Sequence, residues 1–518
     1  MPLQILEFYK SINKKSQIKI QDGVFIILLI SAFLFLGYQQ ILFLRPQGIH
    51  FMRQTDSASF VLNYYNNGFN FFKPALFSLK NIDGNAACEF PIVYYITSFF
   101  YLILGEKEFL LRMFHLLIVS AGIFCLYKLA FELLKDYLYA LFISFFLFTS
   151  TVFCYYSCNF LPDPAALGFV FIGWYSFILH YKNGEKRSLL IGFIFFTLAG
   201  LIKITYLINP LTILVLSFIE LFVLKSAIKN LNALFKRRLA YGLFSILIVI
   251  GWNIYVMYYN QIYESHSFIT AALPMWNLSA NEIAAIWNLM CNNYWYPKYF
   301  SFTSFHLLFV LIPFQIIFFK KSDKPVSLIT LILFLGSLAY FILFYSQFRD
   351  HDYYFMAFFP LCIFIILNGI SIVKNLTSNF YVHSVFKLML LVIVVSGTNY
   401  ARMKLAERYR DNIDEFSKIG VSLADISPEL EKLKIPQDSK FLVVPDKTPN
   451  GGLYFLNRKG WSFGEYQSFS ADTINAYQQK GAEYILLSIK DEKLFSTVRD
   501  VAEPIYEQNG VTILKLNK

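Results

Sequence analysis

The chain is strongly apolar, yet it carries a few ionisable side chains where such groups are expensive. Arg53 and Asp56 follow the first long apolar run, Glu89 sits in CEFPIVYY, and Asp163 lies between two prolines in NFLPDP. Lys203 marks a turn between two short apolar runs, and Arg349–Asp350–His351–Asp352–Tyr353–Tyr354 precedes another. Charged groups at a membrane boundary persist when they are paired, hydrated or used. Carboxylates beside cations at one membrane face suit removal of a group from an anionic, lipid-anchored carrier. Breaking such a bond develops charge on phosphate oxygens, which Lys, Arg or Tyr donors stabilise. The attacking hydroxyl or amine must shed a proton, and a carboxylate within hydrogen-bond reach takes it. One base and one displacement invert the reacting carbon. Two carboxylates at hydrolase spacing would instead admit water, so its exclusion matters.

Each residue also has a plainer reading. TDSASF before an apolar run is a helix start with Asp56 as its cap. PDP is a common turn, and Lys203 reaches an interface simply by extending from a short span. His351 serves either as a satisfied interfacial histidine or as a phosphate donor. The aromatics of the Asn260–Tyr299 loop, among them Phe268, Trp276, Trp287 and Trp295, suit an interfacial belt as well as a sugar or lipid surface.

The elements that must position these groups are membrane helices. The 518 residues are 57% hydrophobic and 15% charged, against about 25% charged in a soluble domain. The apolar runs stop near Tyr400, so two regions are expected: a membrane body, 1–400, and a C-terminal α/β unit, 401–518. Spans are expected at Val24–Leu44, Phe109–Phe131, Leu138–Ser157, Ala165–Tyr181, Ser188–Ile202 and Tyr206–Leu224. Others follow at Leu239–Tyr259, Thr303–Phe319, Val326–Tyr345, Tyr354–Ile372 and Val385–Thr398, about eleven in all. Pro91–Leu104 is too short to cross and reads as interfacial or re-entrant.

That parity places Lys135, Lys182, Lys186, Arg187, Lys225, Lys229, Lys236–Arg238, Lys320, Lys321, Lys324 and Lys374 on one side. With Lys10, Lys14, Lys15 and Lys19 before the first span, this side reads as cytoplasmic. Asp56, Glu89, Asp163, Lys203 and the C-terminal unit fall outside. The net charge of +11 has this topological source, and nucleic-acid binding is excluded for want of a basic face on the soluble part.

In the C-terminal unit, strands are expected at Phe441–Pro445, Leu453–Leu456, Tyr484–Ser488 and Val511–Leu516. Helices are expected at Ser427–Leu433, Ala471–Gln479 and Asp491–Arg499, giving a layered α/β module. Asn450–Gly451–Gly452 reads as a turn, and nothing there carries a chemical motif, so a structural or docking role is preferred. The six cysteines are scattered. Buried packing suits them better than metal binding, although Cys88 and Cys291 share the outer side, where a disulfide is chemically allowed.

The ordered pieces from Asp56 through Glu89-Phe90-Pro91-Ile92-Val93-Tyr94-Tyr95 and Leu104-Gly105-Glu106 to Arg112 resemble the first outer loop of the GT-C glycosyltransferases. The protein O-mannosyltransferase and lipid A aminoarabinose transferase group is the branch they resemble. Leu161-Pro162-Asp163, Gly200-Leu201-Ile202-Lys203 and Asp352-Tyr353-Tyr354…Pro360 are similar to later motifs of that group. The resemblance implies a GT-C-type polytopic α-helical membrane protein with interfacial helices in its first outer loop. It also implies Asp56 as base, with Asp163 and Glu89 supporting acceptor, donor or a divalent cation, no cofactor being required. Lys203, Arg349, His351 and Tyr354 would be donor-phosphate contacts, and Arg53 and Tyr353 join them as substrate-binding candidates. Two departures stand out: Phe90 replaces the group's usual lysine, and Ile204 replaces a glycine, so donor identity does not carry over.

The expected function is inverting transfer of a sugar from a polyprenyl-phosphate donor to a glycolipid, envelope glycan or protein acceptor, on the extracytoplasmic face of a bacterial inner membrane. The rivals are a transporter or flippase of lipid-linked saccharides and a polysaccharide polymerase or ligase. A transporter would gather its ionisable groups near mid-span, whereas here they sit at span ends.

Overall fold

The computed structural model describes residues 20–224, 231–269, 271–410, 414–464 and 469–517. The expected basic flank at Lys10–Lys19 and the loop lysines Lys225 and Lys229 lie outside the described residues. Where the sequence is continuously apolar the chain is helical, because a backbone in lipid must satisfy its own hydrogen bonds. Among the described residues seven helices are long and apolar enough to cross a membrane, or nine if each of two bent pairs forms one span. The shorter helices α1 (Ile20–Phe35) and α7 (Lys186–Ile202) coincide with the remaining expected spans.

Two expectations of straight helices and one of a loop are corrected. The first span ends at Phe35 and is followed by a separate turn of helix at Tyr38–Ile41. The run Leu138–Ser157 is the pair Tyr137–Thr149 and Thr151–Ser157 (α5), bent by 84°. Ser150 breaks it by turning extended and capping the second piece through Phe153 N–H. The segment after Asn260, expected as a loop, contains a helix, Ala280–Tyr299, set at 108° to Phe302–Ile317, and together these form α10. The short apolar run after Pro91 is helix α3 (Ile92–Leu104), ended by Gly105 at φ 75°.

Helices α4 (Phe109–Leu134) and α6 (Asp163–Asn183) pack so closely that a Cβ on Gly122 would lie 2.4 Å from Gly168 Cα, the small-residue contact that lets membrane helices approach. By helical rise α6 spans about 31 Å and separates two ends of the bundle. At one end Lys182 reaches Glu132 O and Lys374 reaches Leu134 O, while Asn375 donates to Lys321 O. The candidate chemistry lies at the other.

The C-terminal unit carries a five-stranded sheet of order β2-β1-β3-β5-β4. The strands are β1 (Lys440–Val444), β2 (Gly460–Ser462), β3 (Ala482–Leu487), β4 (Ala502–Gln508) and β5 (Val511–Leu516). β1 pairs parallel with β2 and β3, and β5 pairs antiparallel with β3 and β4. Alternate residues divide between two cores. Leu442, Val444, Ile485 and Leu514 pack within the unit, whereas Phe441, Val443, Tyr484 and Ile513 join the cluster that includes the membrane body. Leu453–Leu456, expected as a strand, is the end of a helix, Gly451–Leu456, and all four side chains are buried. A short apolar run is compatible with either state, and burial on all sides decided it.

The segment Phe77–Leu79, before Glu89, covers the β2 edge of this sheet. Gly460 N–H donates to Phe77 O at 3.1 Å, Leu79 N–H to Gly460 O at 2.7 Å, and Trp461 Nε1 to Leu79 O at 3.1 Å. An edge strand is thereby paired rather than left exposed. The tether helix α13 (Phe380–Arg408) is fixed by a buried ion pair, Arg408 Nη2 to Asp352 Oδ2 at 2.6 Å. All six cysteines are free thiols, so Cys88 and Cys291 form no disulfide.

Candidate active site

Helix α2 (Phe51–Asn66) begins after His50, which takes a left-handed φ of 59° as its N-cap. Asp56 therefore lies in the second turn and is no cap. It stands three residues after Arg53, on the same helix face. Arg53 Nη2 holds both oxygens of Glu89, at 2.8 and 2.9 Å, and Tyr94 Oη donates to Glu89 Oε1 at 2.5 Å. The Arg53 guanidinium also lies over the Phe268 ring, 5.1 Å from its centroid, so one aromatic of the Asn260–Tyr299 segment joins the site.

Glu89 is brought to the second half of the site by its neighbour. Phe90 N–H donates to Leu201 O at 3.1 Å, and the Phe90 ring packs edge-on against Trp252 and Phe71. Two residues beyond Leu201, the chain leaves α7 and Lys203 turns toward Asp163, Nζ to Oδ1 at 3.3 Å. The ammonium sits over Tyr353 and Tyr354, 5.0 and 5.3 Å from the ring centroids. His351 stacks on both tyrosines, and His50 approaches Tyr353 edge-on at 5.1 Å.

The electrostatics divide the carboxylates. Burial pushes Asp56 up to about 6; Arg53 and a hydrogen bond from Asn450 oppose the rise and the Glu89 charge adds to it. Burial also acts on Glu89, but Arg53, Lys203 and the hydrogen bonds from Cys88 and Tyr94 outweigh it and hold the carboxyl down at about 2. Glu89 is thus held as an anion that fixes Arg53, while Asp56 is raised toward neutrality, an arrangement that could keep a fixed charge apart from a proton acceptor. Burial, then His50 and Lys203, pull His351 down to about 4, which leaves a neutral ring. Burial alone would depress Lys203, yet Asp163 and the two tyrosines keep it raised.

Three buried atoms in this cluster have no hydrogen-bond partner: Arg53 Nη1, Asp163 Oδ2 and His351 Nδ1. Unmet buried polar atoms are costly in a folded chain, so a polar ligand that paired with them would recover that free energy. Beside Lys203 opens an apolar groove of about 560 Å³ between α8 (Ile204–Val223) and α11 (Lys324–Leu343). Ile204, Leu211, Val215, Leu331 and Leu335 line it. Lys203 itself does not line the groove, but its neighbour Ile204 does, and a cation this near an apolar slot matches an anionic lipid. The acidic groups do not suit a divalent ion: Glu89 and Asp163 are each occupied by a cation, and among the described residues no three His, Cys, Asp or Glu side chains are grouped to hold a metal.

Of the residues picked from sequence, Arg53, Asp56, Glu89, Asp163, Lys203, His351, Tyr353 and Tyr354 converge. Arg349 does not. It pairs with its neighbour Asp350 at 3.1 Å, both side chains more than half exposed. Sequence reasoning named Tyr94 and Asp352 as members of motifs but gave them no role; Asp352 takes Tyr156 Oη and Arg408 Nη2 on its oxygens at 2.6 Å each. It missed Asn450, for which no sequence signal exists.

Residues 88–259 match the family described as dolichyl-phosphate-mannose-protein mannosyltransferase. No curated protein sequence matches the chain. Among solved structures, ArnT from Cupriavidus metallidurans in the apo state aligns over 95% of this chain and 98% of its own, at 13% identity and a TM-score of 0.60. The same protein bound to undecaprenyl phosphate aligns equally well, at 12% identity. An oligosaccharyltransferase from Archaeoglobus fulgidus aligns over 94% of this chain and 72% of its own, at 14% identity and a TM-score of 0.55. The fold is therefore that of a GT-C-type polytopic membrane protein with a C-terminal domain.

Proposed function

Because the chain resembles the GT-C membrane glycosyltransferases, we propose that it moves a sugar from a polyprenyl-phosphate donor to an acceptor hydroxyl or amine, with inversion, and with Asp56 as general base. The observation that carries this reading is Lys203: a part-buried cation, flanked by two tyrosines, in the residue before the apolar groove begins at Ile204. A prenyl chain in the groove would bring its phosphate to Lys203, Arg53 Nη1 and the His351 ring. Arg53 thereby supplies the cation that Phe90 does not. As the sugar–phosphate bond breaks, charge grows on the phosphate oxygens and these donors stabilise it. Asp163 fixes Lys203 through Oδ1 and offers Oδ2 to a donor or acceptor hydroxyl. Asp56 takes the acceptor proton.

The same reading puts the site, the first outer loop and the C-terminal unit, 401–518, on the extracytoplasmic face of the inner membrane, with the N-terminus in the cytoplasm. The lysine-rich opposite end supports this orientation. Glycolipid, envelope glycan and protein remain the acceptor classes. The test is to profile lipid-linked sugars in cells lacking the gene and in cells complemented with wild type or Asp56→Asn. One lipid-linked sugar should accumulate in the null and in Asp56→Asn cells and clear with wild type. Wild-type turnover in the Asp56→Asn strain would refute the base, and an unchanged pool in the null would refute the transferase.

A further inference from the structure

The C-terminal unit sends one side chain into the site. Asn450 is 2% exposed, and its three hydrogen bonds fix which end of its amide points where. The Phe77 N–H can only donate, and it meets Asn450 Oδ1 at 2.9 Å. The Nδ2 end therefore faces α2, giving one hydrogen to Asp56 Oδ1 at 3.1 Å and the other to Ser59 Oγ at 2.8 Å. Ser59 in turn donates to Thr55 O at 2.7 Å. Every donor in this hydrogen-bonded run is used, and among the described residues the sole ionisable group it touches is Asp56.

The loop that presents Asn450 is built to hold it still. The buried Asp446 carboxylate accepts from Thr448 N–H at 2.8 Å, Thr448 Oγ1 at 2.6 Å, Gly452 N–H at 3.0 Å and Ser462 Oγ at 3.2 Å. Thr448 Oγ1 also accepts from Gly451 N–H at 2.9 Å. Both glycines are required by close approach: a Cβ on Gly451 would lie 2.5 Å from Thr448 Oγ1, and one on Gly452 would lie 2.6 Å from Asp446 Oδ2. The adjoining segment, Phe77–Leu79, is pinned to the edge of the sheet. Asn450 thus stands on a braced loop, joined on one side to the first outer loop and on the other to the helix of the candidate base.

We propose that Asn450 is the positioning residue for Asp56, so that the C-terminal unit completes the active site rather than merely covering it. This rests on the reading of Asp56 as base. A neutral donor on one oxygen favours the ionised form and fixes the carboxylate's rotation, leaving the other oxygen for the acceptor proton. The charged groups facing Asp56 are Arg53 from its own helix and Glu89 from the first outer loop; the C-terminal unit contributes an amide and no charge. A base near pH 6 is useful when its ionised form prevails at neutral pH, and the amide supports that balance.

The test needs no identified substrate. Dicyclohexylcarbodiimide attacks protonated carboxyls in apolar surroundings, so its adduct on Asp56, mapped by mass spectrometry in the full-length membrane protein, reads protonation against pH. Wild-type labelling should be half-maximal near pH 6, the value to which Asp56 is raised. Asn450→Leu should move that midpoint up by about one pH unit, the tenfold change in acidity expected on losing a charge-assisted hydrogen bond. Asn450→Asp keeps the acceptor for Phe77 and sets a second carboxylate against Asp56, so its midpoint should rise at least as far. It also serves if the leucine variant fails to fold. Lys432→Ala, on the exposed face of the same unit, should leave the midpoint in place.

Transfer by the Asn450 variants, followed through the lipid-linked sugar pool, should fall about fivefold at pH 6 and less than twofold at pH 7.5, as a one-unit shift requires. A merely structural loss would be the same at both. If Asp56→Asn abolishes transfer but the Asn450 variants keep the wild-type midpoint, this inference is overturned and the base survives. If Asp56→Asn transfers normally, the base reading falls, and the inference with it.

Discussion

Replacing Lys203 with methionine removes two things at once, and their magnitudes can be separated. The Lys203 side chain is 18% exposed and that of Asp163 4%, with 3.3 Å between Nζ and Oδ1. Breaking a pair this buried strands a carboxylate without its cation, which costs about 3–5 kcal/mol of stability. Losing a charged donor to a phosphate costs a further ~1.5–3 kcal/mol of donor binding or transition-state stabilisation, roughly 10- to 150-fold. Lys203→Met should therefore show a lowered melting midpoint in detergent together with lost transfer. The double variant Lys203→Met/Asp163→Asn removes the stranded charge while keeping the side-chain volume, so most of the stability should return, by a coupling of about 2–3 kcal/mol in a double-mutant cycle. Transfer should not return. Measured in membrane vesicles on an extracted polyprenyl-phosphate-sugar pool, it should stay at least about 10-fold down. Recovery of transfer in the double variant would show that Lys203 merely neutralises Asp163, and the phosphate role would be refuted.

With Asp56 as the proposed base, which must be ionised to accept a proton and is raised to about 6, transfer should fall as pH drops through 6. An acid limb near pH 4 in a pH–rate profile would contradict this. Arg349→Ala removes only an exposed pair with Asp350, worth about 0–1 kcal/mol, and should leave transfer within about twofold of wild type; a large loss would restore Arg349 to the site. Leu211→Trp narrows the apolar groove and should raise KM for a full-length prenyl donor about tenfold with little change in kcat, the mark of lost ground-state binding. An unchanged KM would move the lipid elsewhere.

Composition and hydropathy were enough to determine the membrane body, its approximate spans and the attached α/β unit, because a bilayer admits few backbone solutions. The carboxylates and Lys203 were also legible, since a charge at the end of an apolar run is conspicuous. What local pattern did not specify was direction and partnership. Asp56 looked like a cap because TDSASF is a good capping sequence, yet the helix starts five residues earlier, at Phe51, behind a left-handed His50. Arg349 and His351 are two residues apart, yet one faces solvent and the other packs between tyrosines. Leu453–Leu456 became helix because it is buried on all sides rather than on alternate ones.

Asn450 marks the limit most plainly. A turn asparagine nearly 400 residues after Asp56 has no local feature that relates the two, and pairing the sheet edge with Phe77–Leu79 is what brings them together. The sequence by itself determined which residues could carry charge into a membrane face and that they would lie on the same side of it. Only the tertiary structure decided which of them are neutralised by a partner and which keep an unmet hydrogen bond. That depends on distances of a few ångströms between segments far apart in the chain, and no one-dimensional pattern records them.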